Sequence, residues 1–346
     1  MDTNFIHFIN EQKEKFLRIK DDIHLIIVAN KSVTNSNSYI INQTMDAILG
    51  ICEKYNIEHE YFTDENTFIQ KMSKATHLSG KQLFVYNRSI NGPIKARRML
   101  IPAFCDYNFL KHLGNDSYRM GLLCNKFHYY SLLKSLNIPV ADFWCYQHSV
   151  GWINAQPPYG CKVIAKLVNE NNALSLSESS VFVYSPDFDT LIDELSQEYD
   201  QPVILQKFIH GYEVSVPVFV VGHTIYVPEV IGSIIDGDKR YGDRFINEST
   251  LKGRIQTDCK EKYYQFSAIN PSVSENIKLD SQKIVKALGI NSFSRFDLRI
   301  DDSFAYYFND LGSIPGILPG SSYAYLFDLY NFTYEDFIIT TIVMDI

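Results

Sequence analysis

Near the C-terminal end, the run Ser294-Arg-Phe-Asp-Leu-Arg-Ile300 is followed by a turn at Asp301-Asp-Ser303 and by Phe304-Ala-Tyr-Tyr-Phe-Asn-Asp-Leu-Gly-Ser-Ile-Pro-Gly316. Arg295, Asp297 and Arg299 alternate with Phe296 and Leu298, so on a strand the three charged side chains share one face. A return strand through Tyr306 and Phe308 brings Asp310 back beside them. Two acids thirteen residues apart on adjacent antiparallel strands, Asp297 and Asp310, are chemically sufficient for a hard divalent cation such as Mg²⁺. The same alternation also suits solvated charges on a half-exposed sheet.

Upstream, Val163-Ile-Ala-Lys166 ends an apolar strand in a lysine, a costly position without an anionic partner. Val203-Ile-Leu-Gln-Lys-Phe-Ile-His-Gly-Tyr-Glu213 is a second apolar strand, with an acid opening the next. Gly211 reads equally as a simple turn. Lys126 opens a helix that runs to Leu136 and stops at Asn137-Ile-Pro139. Pro319-Gly-Ser-Ser322 is ordinary loop chemistry, although the Ser321 hydroxyl can also donate to a carboxylate.

The N-terminal third has another rhythm. Spaced apolar residues over 5–20 suit an amphipathic helix, followed by a strand at Ile23–Ala29, a helix over Tyr39–Tyr55 and strands at Glu58–Phe62 and Leu83–Tyr86. Strand, helix and strand at this spacing predict a parallel sheet with covering helices. From Lys162 the pattern turns strand-rich, with strands at Lys162–Lys166, Val181–Tyr184, Val203–Gln206, Glu213–Val221 and Thr224–Val230 and a helix near Leu191–Tyr199. The polar stretch Asp236–Lys262 reads as a mobile loop, and a helix over Ser281–Leu288 precedes the final hairpin. The fold class is multidomain, α/β then α+β, divided as 1–122, 123–210 and 211–346.

The 346 residues are 46% hydrophobic and 21% charged, which predicts a folded globule of more than one core. A net charge of −8 without a basic block argues against nucleic acid as a partner. Six scattered cysteines show no metal-ligand spacing and suit a reducing compartment. Met1–His7 has no basic region leading an apolar run, and no run of about 18 apolar residues occurs, so a cytoplasmic place away from membranes is expected.

Taken together, these runs resemble the ATP-grasp carboxylate–amine ligases of the D-alanine–D-alanine ligase family, with its Arg-x-Asp strand and Glu-x-Asn-Thr-x-Pro-Gly strand end. The resemblance implies an ATP-grasp fold behind an N-terminal parallel α/β domain. It implies ATP and Mg²⁺ as cofactors (Mn²⁺ as the alternative ion), held in metal contact by Asp297 and Asp310. Lys126 and Lys166 would meet the phosphates, and Gln206 the adenine amino group. The backbone of Phe208 and Ile209 would meet the ring edge, and Glu213 the ribose. Arg295 would face the acyl-phosphate and Ser321 the substrate carboxylate. Lys252, with Lys260 and Lys262 as alternatives, would reach the γ-phosphate from the mobile loop. The implied activity joins an amino-acid-like carboxylate to an amine and releases ADP and phosphate. Small amino-acid-like molecules are the implied partners, and a homodimer the implied assembly.

The departures are specific. Asp310 replaces a glutamate, Gly312 an asparagine and Leu167 a proline, and Asn169–Ser175 contains no glycine where the family closes a Gly/Ser-rich loop over phosphate. Asn171, Asn172 and Ser175 offer side-chain donors there instead. The first loop, Ala29–Tyr39, lacks the family's amine-clasping acid, so D-alanine is not supported as first substrate. Gly312, Gln206 in place of the family's acid near the adenine amino group, and the glycine-free loop motivate the alternative of a catalytically weakened ATP-binding or regulatory protein.

Overall fold

The computed structural model describes residues 2–30, 35–74, 80–89, 97–170, 176–247 and 262–346. Asp2 caps α1 (Thr3–Ile19), its carboxylate accepting from the N–H groups of Asn4 and Phe5 that the first turn leaves open. The helix buries Phe5, Phe8, Ile9 and Phe16 along one face. Then β1 (Ile23–Val28), α2 (Asn35–Lys54), β2 (Glu58–Phe62), α3 (Glu65–Met72), β3 (Gln82–Asn87), α4 (Arg97–Tyr107) and β4 (Lys111–His112) alternate. The strands pair in parallel in the order β2-β1-β3-β4. Every residue of β1 is buried, as a strand covered on both faces requires.

Two helices, α5 (Ser117–Leu123) and α6 (Lys126–Ser135), lead into a second sheet. It contains β5 (Phe143–Gln147), β6 (Gly151–Trp152), β7 (Lys162–Leu167), β8 (Val181–Val183) and, after α7 (Asp189–Glu198), β9 (Val203–Lys207). Its order is β6-β5-β9-β7-β8, with every pairing antiparallel. The third sheet holds β10 (Tyr212–Val221), β11 (Thr224–Tyr226), β12 (Ile231–Ser233), β13 (Tyr263–Gln265), β14 (Ser294–Ile300) and β15 (Tyr306–Gly312), with α8 (Pro271–Leu288) inserted before β14. Its order is β13-β12-β10-β14-β15, β11 pairing with β10. Helices α9 (Ser322–Leu329) and α10 (Tyr334–Val343) follow.

Some bounds differ from the sequence expectation. The helix expected over Ser281–Leu288 starts ten residues earlier, because Asn270 accepts from Val273 N–H at 3.1 Å and Pro271 occupies the first helical position. The strand expected to reach Val230 ends at Tyr226, just before Val227-Pro228. Residues 236–247 of the polar stretch are folded against the sheet through the Gly211–Gly242 bridge, and 248–261 lie outside the described residues. The last helices return to the first domain, where Tyr323, Phe327 and Phe337 share a core with Phe5, Phe8 and Tyr86. A second core joins Tyr129, Tyr130 and Ile204 to Val214, Val216 and Phe296, fixing the second sheet against the third. Among the described residues, no helix is long and apolar enough to cross a membrane.

Candidate functional site

The strand register of the third sheet aligns its polar residues in rows. Pro217, Arg295 and Gly312 stand side by side across β10, β14 and β15. The next row is Ser215, Asp297 and Asp310, and the next Glu213, Arg299 and Tyr307. Immediately after Asp310 the ladder slips, so that Leu298 faces Phe308 and Asn309 becomes the extra residue of a bulge. Arg295, Asp297, Arg299, Asn309 and Asp310 line one cleft of about 280 Å³ between the second and third sheets. Lys126, Lys166, Gln206, Phe208, Ile209, Glu213 and Ser321 line the same cleft. Lys252 and Lys260 fall outside the described residues, as do Asn171, Asn172 and Ser175; Lys262 lies in the cleft wall beside Tyr263.

On the second-sheet side, Lys166 donates to Gln206 Oε1 at 2.9 Å and to Asn309 Oδ1 at 2.7 Å, both neutral acceptors. Burial lowers its pKa to about 8. Lys126, at the first position of α6, donates to the Glu170 carbonyl and stands 3.9 Å from Asp310 Oδ1. Its pKa is also lowered, chiefly by burial. Because an ammonium only donates, Lys166 orients the Gln206 amide with its oxygen inward. Among the described residues, Gln206 Nε2 is then a buried donor without a partner, in the wall of the cleft.

On the third-sheet side, Asp297 accepts from Arg295 Nε at 2.9 Å and Nη2 at 2.8 Å, and from Ser215 Oγ at 2.7 Å. Burial opposes the Arg295 charge, but Asp297 outweighs it and holds the guanidinium more firmly protonated than usual. Asp310 accepts from Tyr129 OH at 2.9 Å. Burial would raise its pKa, yet Lys126 and Lys166 bring it below the usual value. Gly312 offers no side chain, and a Cβ built there would lie 3.2 Å from the Arg295 carbonyl oxygen.

The linker between the two sheets is fixed by Arg299. Its guanidinium donates to Ile209 O at 2.9 Å, Glu213 Oε2 at 3.0 Å and Gly242 O at 2.7 Å, and packs 5.3 Å from the Phe208 ring centre. Burial raises the Glu213 pKa against that pairing. Phe208 spends its own N–H on Lys162 O at 2.9 Å, so a ring edge would have to be met by other backbone groups of the linker. Gly211 is more than a simple turn: its φ is +142° and a Cβ would sit 2.0 Å from Ile300 O, excluding any other residue. Ser321 caps α9, its Oγ accepting from Ala324 N–H at 3.3 Å.

Sequence reasoning missed Ser215, Tyr129, Asn309 and the clamping role of Arg299. The adjacent polar pair Asn309-Asp310, which breaks the period of two, was the available signal for the bulge.

Residues 183–343 match the protein family described as D-ala D-ala ligase C-terminus. The D-alanine–D-alanine ligase of Pediococcus pentosaceus is 24% identical over 68% of this chain and 62% of its own length. That of Acetivibrio thermocellus is 28% identical over 40% of this chain and 35% of its own. The chain thus spans about a third to three-fifths of these curated relatives. Among solved structures, the Bacillus anthracis D-alanine–D-alanine ligase complexed with ATP superposes at a TM-score of 0.66, with 13% identity over 93% of this chain and 96% of that one. The VanG D-Ala:D-Ser ligase of Enterococcus faecalis superposes at 0.68, with 15% identity over 94% and 100%. The fold is that of the ATP-grasp ligases.

Proposed function

We propose that this chain, which has the fold of the ATP-grasp ligases and matches the D-ala D-ala ligase C-terminus model over residues 183–343, is an ATP-dependent ligase. It joins the carboxylate of an amino-acid-like substrate to an amine through an acyl-phosphate and releases ADP and phosphate. The observation that carries this reading is the row Ser215, Asp297 and Asp310 facing Lys126 and Lys166 across one cleft.

The residues fit the groups the reaction needs. Lys126 and Lys166 neutralise phosphoryl oxygens, and Gln206, the Phe208–Ile209 linker and Glu213 receive base and ribose. Two opposed carboxylates suit one hard divalent cation, and Gly312 adds no ligand for a second. Bound Mg²⁺, or Mn²⁺, would supply neutralisation of the charge that develops on the transferring phosphoryl group. Arg295 holds the oxyanion as the amine attacks, and Ser321 at the start of α9 orients a substrate carboxylate. Lys252 was the sequence's first choice for the γ-phosphate. The position of Lys262 in the cleft wall favours Lys262 for that contact. Positioning and electrostatics supply most of the acceleration in such chemistry. A homodimer in the cytoplasm belongs to the same reading.

The alternative, a nucleotide-binding regulator on the same scaffold, is favoured by Gly312 and by the closure of Asp297 on Arg295. Phosphate release with ATP, Mg²⁺ and a panel of amino acids separates the two, with Asp297→Asn as control and products weighed by mass spectrometry. The ligase reading expects release that depends on a particular amino acid and a product heavier by one condensation. If no amino acid elicits release while ATP still raises the melting temperature, the regulator stands instead.

A further inference from the structure

The bulge in β15 places two neighbouring side chains where a regular strand would place one. Successive residues of a strand point to opposite faces, yet Asn309 and Asp310 both line the cleft. Two buried tyrosines of α6 hold them there. Tyr130 donates its hydroxyl to the Asn309 carbonyl oxygen, and Tyr129 donates to Asp310 Oδ1 at 2.9 Å. The two rings meet edge to face with centres 4.8 Å apart, so the hydroxyls grip consecutive residues as a unit.

Asp310 belongs to the acid pair already described, whereas Asn309 turns to the opposite wall. Its amide oxygen accepts from Lys166 Nζ at 2.7 Å, across the cleft from β15 to β7. The other acceptor, Gln206 Oε1 at 2.9 Å, stands on β9, in the same sheet as the lysine. Lys166 is 7% exposed, and among the described residues no carboxylate pairs with it. A buried ammonium is costly without acceptors, and amide oxygens satisfy its donors while leaving its charge in place. A carboxylate at either position would compensate that charge before an anion arrived. The bulge thus brings a neutral acceptor to a cation that an incoming anion can still claim.

We propose that Asn309 is a positioning residue for Lys166, holding the ammonium from across the cleft so that it meets the phosphoryl oxygens of the nucleotide with its charge uncompensated. That the incoming anion is a nucleotide rests on the ligase reading; the grip of Asn309 on Lys166 does not. Asn309 acts through the lysine, so its effect on binding should vanish when the lysine is absent.

The test combines a double-mutant cycle in ATP affinity with the titration of Lys166, followed by NMR of carbon-labelled lysine in the nucleotide-free full chain. Asn309→Ala is expected to weaken ATP binding about tenfold in the otherwise unchanged chain, and less than about twofold in Lys166→Met. Asn309→Asp keeps an oxygen in place but adds a charge. It should raise the Lys166 midpoint by at least about one pH unit and still weaken ATP binding. Asn309→Ala should not raise the midpoint, and a change that merely loosened the bulge would not raise it either. Equal losses from Asn309→Ala with and without Lys166 overturn the positioning role, as does an unmoved midpoint in Asn309→Asp. If Asn309→Ala does not fold, the near-isosteric Asn309→Asp decides through the midpoint. An unsubstituted chain that binds no ATP, while Asn309→Asp still moves the midpoint, refutes the nucleotide reading and leaves the contact standing.

Discussion

Lys166 and Asp297 face the same cleft from different sheets, and their charges are compensated in opposite ways. Lys166 rests on two amide oxygens, and burial has pulled its pKa to about 8. Asp297 is closed by both arms of Arg295 and by Ser215. The lysine wall therefore holds charge that an incoming anion would complete. The acid wall already has its counter-charge, and an incoming cation has to share or displace it. The two walls should respond differently to the same kind of truncation.

The largest expected effect is on the closed side. Arg295→Met leaves the half-buried Asp297 with only Ser215, and removing its partner should cost about 3 kcal/mol of folding free energy, the lower end of the range for fully buried pairs. Adding Asp297→Asn to that variant should recover most of the loss, a coupling readable by urea unfolding of the double-mutant cycle. A loss below about 1 kcal/mol would mean that solvent in the cleft, and not Arg295, compensates the acid. On the open side, Lys166→Met should weaken nucleotide binding by about 100-fold, or about 3 kcal/mol by calorimetric titration. Its unfolding free energy should move far less than that of Arg295→Met. Equal stability losses in both variants would erase the contrast between the walls.

This asymmetry was half legible in the sequence. The alternation Arg295, Asp297, Arg299 announces a charged strand face, and Lys166 at the end of an apolar strand announces a cation needing a partner. What period-two reasoning does not give is which charges neutralise each other. That depends on the rows set by register, Ser215 beside Asp297 and Arg299 beside Glu213, and on the bulge that turns Asn309 toward Lys166. The parallel first sheet was readable for a similar reason, its buried strands being short unbroken apolar runs. Helix α10 was not, because Asp336 through Val343 are all buried, and a helix covered on every side shows no apolar stripe. Strand β5 also escaped notice, at Phe143-Trp-Cys-Tyr-Gln147, where aromatic residues mask the alternation of buried and half-buried positions.

A third acid supplies the control for the acid wall. Asp345 accepts from Ser292 Oγ at 2.6 Å and Gly114 N–H at 2.9 Å but pairs with no cation among the described residues, and burial pushes its pKa up to about 6. Between about pH 4 and 6 the folded chain then holds a proton that the unfolded chain has released, so stability falls as pH rises through that window. Asp345→Asn should remove that slope, worth about 3 kcal/mol in unfolding free energy near neutral pH. Asp310 is shifted the other way, so its contribution is present above the unfolded value and lost as pH drops through the folded one. If the slope between pH 4 and 6 persists in Asp345→Asn, another acid in the fold carries it.

Titration also distinguishes the lysine wall. With Lys166 near pKa 8 in the free protein, nucleotide affinity should be full below that value and fall about tenfold between pH 7.5 and 9.5. Folding stability should move oppositely, since above pH 8 the folded chain has shed a proton that the unfolded lysine still holds. Lys166→Met should flatten both profiles. A nucleotide profile unchanged by that variant would assign the titration to Lys126 instead, whose pKa burial also lowers.

The smallest expected effect probes the gap beside the acid pair. Gly312 stands across from Arg295, with a φ outside the left-handed region, so a side chain is conformationally allowed there. The obstacle is spatial: its Cβ would lie 3.2 Å from the Arg295 carbonyl, and β14 and β15 must separate by a few tenths of an ångström. Gly312→Asn should therefore cost under about 1 kcal/mol of stability, since the hairpin edge can absorb such a shift. If Gly312 is where a further metal ligand is missing, the new amide oxygen adds a neutral hard donor two residues from Asp310. Mn²⁺ affinity, followed by electron paramagnetic resonance with a non-hydrolysable nucleotide present, should then rise severalfold. Unchanged Mn²⁺ binding in a folded Gly312→Asn chain would mean that the pair Asp297 and Asp310 meets its cation without help from that row. In that case Arg295, already holding Asp297, is the group that sets how tightly the ion is taken.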